Sequence, residues 1–262
     1  MSTKPIDGAR GHAKVSAHGS SLTYAGMAEL YFDDADGWRR YKQNITADGM
    51  EQWVEDEGTL VLRFCDLMVL SLLGAHEEVR SELAVNFWDE VGEGAYQNRH
   101  TELFKRLLRY TGVDMAEEQL TSEGLSERLD WPGLAGYNLY VFFGLHRRNY
   151  FRYIGGMGVA EYMDPPQYLK VLRGCRRVGL TDRKALAYYA GHAELDIEHG
   201  EAWFTKVMGP LVRKYPETRH EMVQGALMRI NTTADYFDYL YRKLAGPDQL
   251  AARPAGRRAT RG

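Results

Sequence analysis

Cysteine is nearly absent from this sequence, with Cys65 and Cys175 the only two in 262 residues. Each sits inside an otherwise helical pattern, which excludes a disulfide framework and any cysteine-rich zinc or iron–sulfur site. A long apolar run is also missing. The most hydrophobic stretch, residues 60–73, is interrupted by Arg63 and Asp66 and is too short to span a bilayer. The first 21 residues are polar, without the apolar core of a signal peptide. A reducing cytoplasm and no membrane partner are therefore expected. Charge of one sign is lacking too: the formal net charge is −3 and acids and bases are intermixed. No extended basic surface for phosphate backbones results, so nucleic acid is not an expected partner. Arg253, Arg257, Arg258 and Arg261 cluster only in a Pro/Gly/Ala tail that reads as solvated chain. Strand signals are few.

What is present is helical periodicity in a chain that is 44% hydrophobic and 26% charged, a balance that supports one globular domain with a sizeable core. Residues 1–22 and 246–262 are expected to be disordered, flanking one helical domain over 23–245. Trp53, Val54, Leu60, Val61, Phe64, Met68 and Leu72 fall at three- and four-residue steps, predicting a long helix over 50–73 ended by Gly74. A second helix through Val79, Leu83, Phe87 and Trp88 folds back on it as a hairpin. Gly92 and Gly94 weaken or bend this helix before Leu103, Phe104, Leu107 and Leu108 resume the pattern. An aromatic-rich block from Tyr137 to about Met163 is expected to stop at Pro165-Pro166, with a short helix over 166–178 beyond it. The next helix is predicted from Thr181 to about Val207, broken at Gly209-Pro210, with the last helices over 211–215 and 216–244. The fold class is all-α, about seven helices in one bundle.

The sharpest chemical signal lies in His192-Ala-Glu-Leu-Asp196-Ile-Glu-His199. The i, i+4, i+7 spacing of His192, Asp196 and His199 puts all three on one helical face. Imidazole nitrogen and carboxylate oxygen suit iron(II) or manganese(II), and an open position beside them admits dioxygen. The alternative is a solvated acidic helix with two ordinary histidines.

A second group is Asn86-Phe-Trp-Asp-Glu90-Val-Gly-Glu-Gly94, followed by His100. A carboxylate buried in such an aromatic setting needs a cation or hydrogen-bond donors, and a metal is one such partner. Glu90 and His100 are about 80° off a shared face on a regular helix, so both reach one centre only if the Gly92/Gly94 region distorts it. The hairpin turn places Glu57 within about a turn of the level of Glu90, on the stripe of Leu60, Val61 and Phe64, which makes it the best first-helix ligand. Glu57, Glu90, His100, His192, Asp196 and His199 together supply three carboxylates and three imidazoles, a set suited to two irons. Ferritin-like bundles use Glu-x-x-His steps that this set lacks, so that fold is disfavoured.

Over roughly residues 50–215 the sequence resembles the haem-oxygenase-like di-iron oxidases and oxygenases. Glu57 with Phe64 and the Leu-Gly74 turn, Asn86 to Gly94 with His100 and Leu103-Phe104, and the His192-x3-Asp196-x2-His199 helix carry the resemblance. It implies a single haem-oxygenase-like bundle without haem, with metal ligation on those same six residues. Glu57, Glu90 and Asp196 are the carboxylates expected to bridge the irons and take part in catalysis. Some members have another carboxylate where this chain has Gln97; Glu93 and Glu161 are reserve ligands.

The resemblance further implies two Fe(II)/Fe(III) ions, dioxygen as co-substrate, and oxidation of small acids or amines in specialised, natural-product metabolism. Amine N-oxygenation of an amino-acid-type substrate is favoured, with carbon–carbon cleavage or decarboxylation of an amino or fatty acid as the alternative. An external electron donor, with a reductase partner, is compatible with this chemistry, and a homodimer is the default expectation. Arg152, in the Arg147–Arg152 stretch, is the candidate for holding a substrate carboxylate, since guanidinium matches carboxylate in a fork. Competing readings are a metal-free thiaminase-like enzyme, for which neither cysteine has an evident local base, and a non-catalytic helical binding protein.

Overall fold

The computed structural model describes residues 60–113 and 130–244. Glu57 and both expected disordered termini lie outside the described residues. Helices account for the regular structure, and no strand occurs among the described residues. In chain order they are α1 (Phe64–Leu72), α2 (Glu77–Glu90), α3 (His100–Tyr110), α4 (Trp131–Leu145), α5 (Tyr150–Arg177), α6 (Ala187–Ala202), α7 (Gly209–Lys214) and α8 (Arg219–Leu244). None is long and apolar enough to cross a membrane.

The α1–α2 hairpin forms, turning at Gly74 with φ +68°, a left-handed conformation that favours glycine, but a turn at Leu62 and Arg63 interrupts the long helix expected over 50–73, whose first ten residues lie outside the described residues. α2 and α3 then run in line along α6. Asp89 meets His199 while the His100 ring packs on His192 and Phe104 on Tyr188. Leu107, Phe104 and Leu186 join one core cluster, and Leu83, Met157 and Trp203 another.

Two proline expectations are overturned. Pro165-Pro166 does not end a helix: α5 continues through both for 28 residues, so the separate helix over 166–178 is its second half. The prolines remove the donors that would bond the carbonyls of Glu161 and Tyr162, at a cost of about 3 kcal/mol for an interior proline. Burial of α5 on both sides offsets this, because α6 packs antiparallel on one face and α8 runs parallel on another. Gly209-Pro210 likewise fails to break the chain. A π-helical turn at Trp203–Met208 leads from α6 into α7 without a break, and Pro210 sits in the first turn of α7. The α6 start also shifts, from Thr181 to Ala187. Asp182 Oδ1 accepts a 2.7 Å bond from the Ala185 N–H, capping the turn that precedes the helix.

Glycines set how closely α5 meets its neighbours. A Cβ on Gly155 would stand 1.9 Å from the Met222 carbonyl oxygen, and one on Gly225 would stand 1.9 Å from that of Arg152. The backbones of α5 and α8 therefore touch at both points, which fixes the level of every residue further along the pair. Gly225→Ala is expected to force them apart and destabilise the protein by about 1–3 kcal/mol or more, as overpacking does. A urea-unfolding midpoint equal to that of the unchanged protein would show that the contact does not set the packing.

Candidate metal centre

Glu90 is the last residue of α2 and His100 the first of α3. Between them Gly92 and Gly94 take φ +69° and +83°, and a Cβ on Gly92 would lie 2.5 Å from the Arg99 nitrogen. Only glycine fits there. This compact detour is the distortion that the sequence required, and it folds the two side chains onto each other, with His100 Nδ1 3.0 Å from Glu90 Oε1. His192 of α6 completes the group, its ring centroid 4.3 Å from that of His100. One ligand atom from each of Glu90, His100 and His192 lies within 4.8 Å of the other two, and all three residues are buried.

A second group of Glu161, Asp196 and His199 meets the same description. His199 Nδ1 is 3.8 Å from Glu161 Oε2 and 3.7 Å from Asp196 Oδ1. These separations are too long for hydrogen bonds. They match ligand atoms around a shared ion, since donors bonded at about 2.1 Å stand roughly 3.0–4.2 Å apart. Glu161 reaches α6 because Gly200 lets the helices touch. A Cβ on Gly200 would be 2.6 Å from Tyr162 Cα, at the point where the proline pair has opened α5.

Hydrogen bonds orient both imidazoles of α6. His192 Nδ1–H donates to the Tyr188 carbonyl at 2.8 Å, and His199 Nε2–H donates to Asp89 Oδ2 at 2.9 Å. Each acceptor can only accept, so the proton is placed and the other ring nitrogen presents its lone pair to the cluster. Asp89 and Glu90 are consecutive, yet one supports His199 and the other belongs to the His100–His192 group.

Electrostatics point to missing positive charge. Burial pushes the Glu161 carboxyl well above the ordinary carboxylate range, and the neighbouring Asp196 charge pushes the same way. Asp196 is raised by burial and then by Asp164 and Glu90. Burial also raises Glu90, but the His100 imidazole, with His192 and His199, outweighs it and holds the net shift downward. His192 is lowered to about 3 by burial and by His100, so its ring stays neutral. Glu161 Oε1 is buried without a hydrogen-bond partner, an expensive state for a carboxylate that a cation would relieve. This donor set fits iron: two adjoining trios, each with carboxylate oxygen and imidazole nitrogen.

Both groups open on one cavity, lined at this end by Glu90, Glu161, His192 and Asp196. The cavity volume is about 90 Å³, enough for several waters or a small organic molecule.

Of the residues singled out in the sequence, Glu90, His100, His192, Asp196 and His199 are brought together. The reserve residue Glu161 joins them, supplying the third described carboxylate. Glu93 is not brought in: it is exposed, with φ +52° in the glycine detour. Gln97 is exposed as well. Arg152 is engaged elsewhere. It does not line the cavity, because its guanidinium is engaged between α5 and α8, with Glu221 at 2.9 Å, Gln224 at 3.1 Å and Asn149 at 3.2 Å. Sequence reasoning missed Asp89 and the cavity residues Asp164 and Arg229. Adjacency to Glu90 was the available signal for Asp89; Arg229 comes from a distant helix and had none. Cys65 is pushed upward by burial and then by Glu90, and Cys175 is fully buried, so neither is an activated thiol.

A family model described as iron-containing redox enzyme matches residues 51–234. The chain is also 24% identical over 154 residues to a nitrosourea synthase of Streptomyces achromogenes subsp. streptozoticus. That alignment covers 56% of this chain and 30% of the relative, so the chain spans well under half of that protein's length.

Two substitutions probe the geometry. Asp89→Asn should weaken iron binding about 10- to 100-fold, the usual effect of removing a carboxylate behind a ligand histidine, with helix content unchanged by circular dichroism. Gly200→Ala should separate Glu161 from Asp196 and His199 and lower the number of irons bound per chain; full loading in an iron assay would contradict the role given to this contact.

Proposed function

We propose that this chain, which belongs to the iron-containing redox enzymes, is a di-iron oxygenase that uses dioxygen to oxidise a nitrogen of a small amino-acid-type substrate. The observation that carries this reading is the pair of adjoining three-residue groups, each mixing carboxylate and imidazole, at the end of one cavity. Glu90, His100 and His192 would hold one iron, and Glu161, Asp196 and His199 the other. Glu57 is kept as a proposed further carboxylate. Bound iron would supply the electrons and the open positions at which dioxygen is activated.

The protein's own contribution is positioning and charge. Three buried carboxylates would offset much of the charge of two ferrous ions, while the bonds to Tyr188 and Asp89 hold the His192 and His199 imidazoles in one tautomer and one orientation. The hydrophobic shell of Leu60, Val61 and Phe64 along the cavity limits water around the reacting atoms. Nitrogen as the oxidised atom is supported by a relative named for making a nitrosourea, a compound class defined by a nitrosated nitrogen. A thiol-based hydrolase is disfavoured by the state of both cysteines.

Anaerobic titration with iron(II) is expected to saturate at two ions per chain, and admitting air should start dioxygen consumption that an amine-containing substrate accelerates. His192→Ala and Asp196→Ala should each lower iron affinity by more than about 100-fold, since residues merely behind ligands already contribute 10- to 100-fold. Saturation at one ion would sink the di-iron assignment. Unchanged turnover in either variant would remove that residue from the ligand set.

A further inference from the structure

We propose that three buried tyrosines, Tyr168, Tyr188 and Tyr189, form a redox relay beside the iron ligands, giving dioxygen the electrons that two irons lack when no substrate is bound. This rests on the oxygenase reading of the same site and adds to it an activity of the substrate-free protein.

The three rings are in mutual contact. Their centroids stand 5.9 Å apart for Tyr168 and Tyr188, 5.6 Å for Tyr168 and Tyr189, and 5.6 Å for Tyr188 and Tyr189, all within the range of packed aromatic pairs. The group also touches the proposed ligands. The Tyr188 ring lies 4.1 Å from that of His192 and 6.3 Å from that of His100, and the Tyr168 ring lies 5.4 Å from that of His192. Helical spacing puts them there. Tyr188 stands one turn before His192 on α6, on the face that continues to Asp196 and His199, and Tyr168 stands two turns after Glu161 on α5. Each row of ligands therefore continues into a tyrosine, and both Tyr168 and Tyr188 line the cavity.

Packing alone has no need of phenols at these positions, because phenylalanine fills the same space without a hydroxyl to satisfy. Phe104 does so in the same cluster, 4.8 Å from the Tyr188 ring and 6.4 Å from that of Tyr189. In the other core cluster Tyr140 and Tyr153 use their hydroxyls as ties between helices, donating to the carbonyls of Gly156 and Leu67. A phenol differs from a phenyl ring in a second respect: it gives up one electron readily when its proton leaves with it. Reduction of dioxygen to two waters takes four electrons and four protons. Two ferrous ions supply two of the electrons and become ferric. Tyr188 and Tyr168 supply the other two. In each the O–H bond breaks, the electron crosses the His192 ring, and the proton reaches the reduced oxygen through the cavity; solvent gives the remaining two protons. Two phenoxyl radicals are left, and contact with Tyr189 lets one move further from the ligands. An external one-electron donor such as ascorbate restores the phenols. Without the relay, two ferrous electrons and two protons take dioxygen only as far as hydrogen peroxide.

The test uses the full chain loaded anaerobically with iron(II), exposed to air without substrate, and frozen at intervals for electron paramagnetic resonance. An organic radical is expected, and ascorbate should quench it. Protein made with ring-deuterated tyrosine should lose the ring-proton part of the hyperfine splitting, a change that a packing role would not produce. Tyr188→Phe keeps the ring and the backbone carbonyl that holds His192; it should lose the radical and release hydrogen peroxide instead. Iron stoichiometry and circular dichroism check that the variant is folded and loaded, and the deuterium comparison needs no variant. If two irons load and air oxidises them but no radical forms at any time, the inference fails while the oxygenase reading stands. It fails in the same way if deuterated tyrosine leaves the spectrum unchanged, or if Tyr188→Phe forms as much radical and no more peroxide. A chain that loads no iron, or whose iron air does not oxidise, overturns both.

Discussion

Three carboxylates buried in one helical core are the constraint on which the rest of this structure depends. Glu90, Glu161 and Asp196 lie within reach of one another's charge, and removing even one carboxylate from water without compensation costs several kcal/mol. For Glu161 hydrogen bonds do not supply the compensation, since its Oε1 has no partner. Three imidazoles placed among the acids, two of them with their lone pairs turned inward by outer hydrogen bonds, make the arrangement intelligible as a cradle for cations rather than as a structural ion network.

The unusual features of the backbone serve this cradle. A regular helix from Glu77 to Tyr110 would point Glu90 and His100 in different directions, and the glycine detour removes that mismatch. A regular α5 would keep its carbonyl ladder closed at Glu161, whereas the proline pair opens the ladder where Gly200 of α6 comes closest. Such local departures from good helix-forming sequence are tolerated because the surrounding core over-determines the path of the chain, and they concentrate at the functional site.

Membership in the iron-containing redox family and the geometry of the two trios support each other without repeating the same information. The family concerns the kind of chemistry. The two trios concern which side chains of this chain are placed to carry it.

Helical class, the hairpin and the His192/Asp196/His199 face were legible in the sequence because they follow from local periodicity: side chains three, four and seven residues apart share a face whatever the helix packs against. Glu90 and His100 were legible as a pair only on the condition that the glycines distort the chain, and the structure meets it. The path through Pro165-Pro166 and Gly209-Pro210 was not legible, since intrinsic propensity opposes a helix there and only burial between neighbouring helices overrides it. The pairing of Glu161 with Asp196, the service of Asp89 to His199, and the place of Arg229 rather than Arg152 in the cavity belong to tertiary structure alone. Each depends on which helices touch and at what level, and those levels are set by backbone contacts at Gly155, Gly200 and Gly225, between residues far apart in the chain.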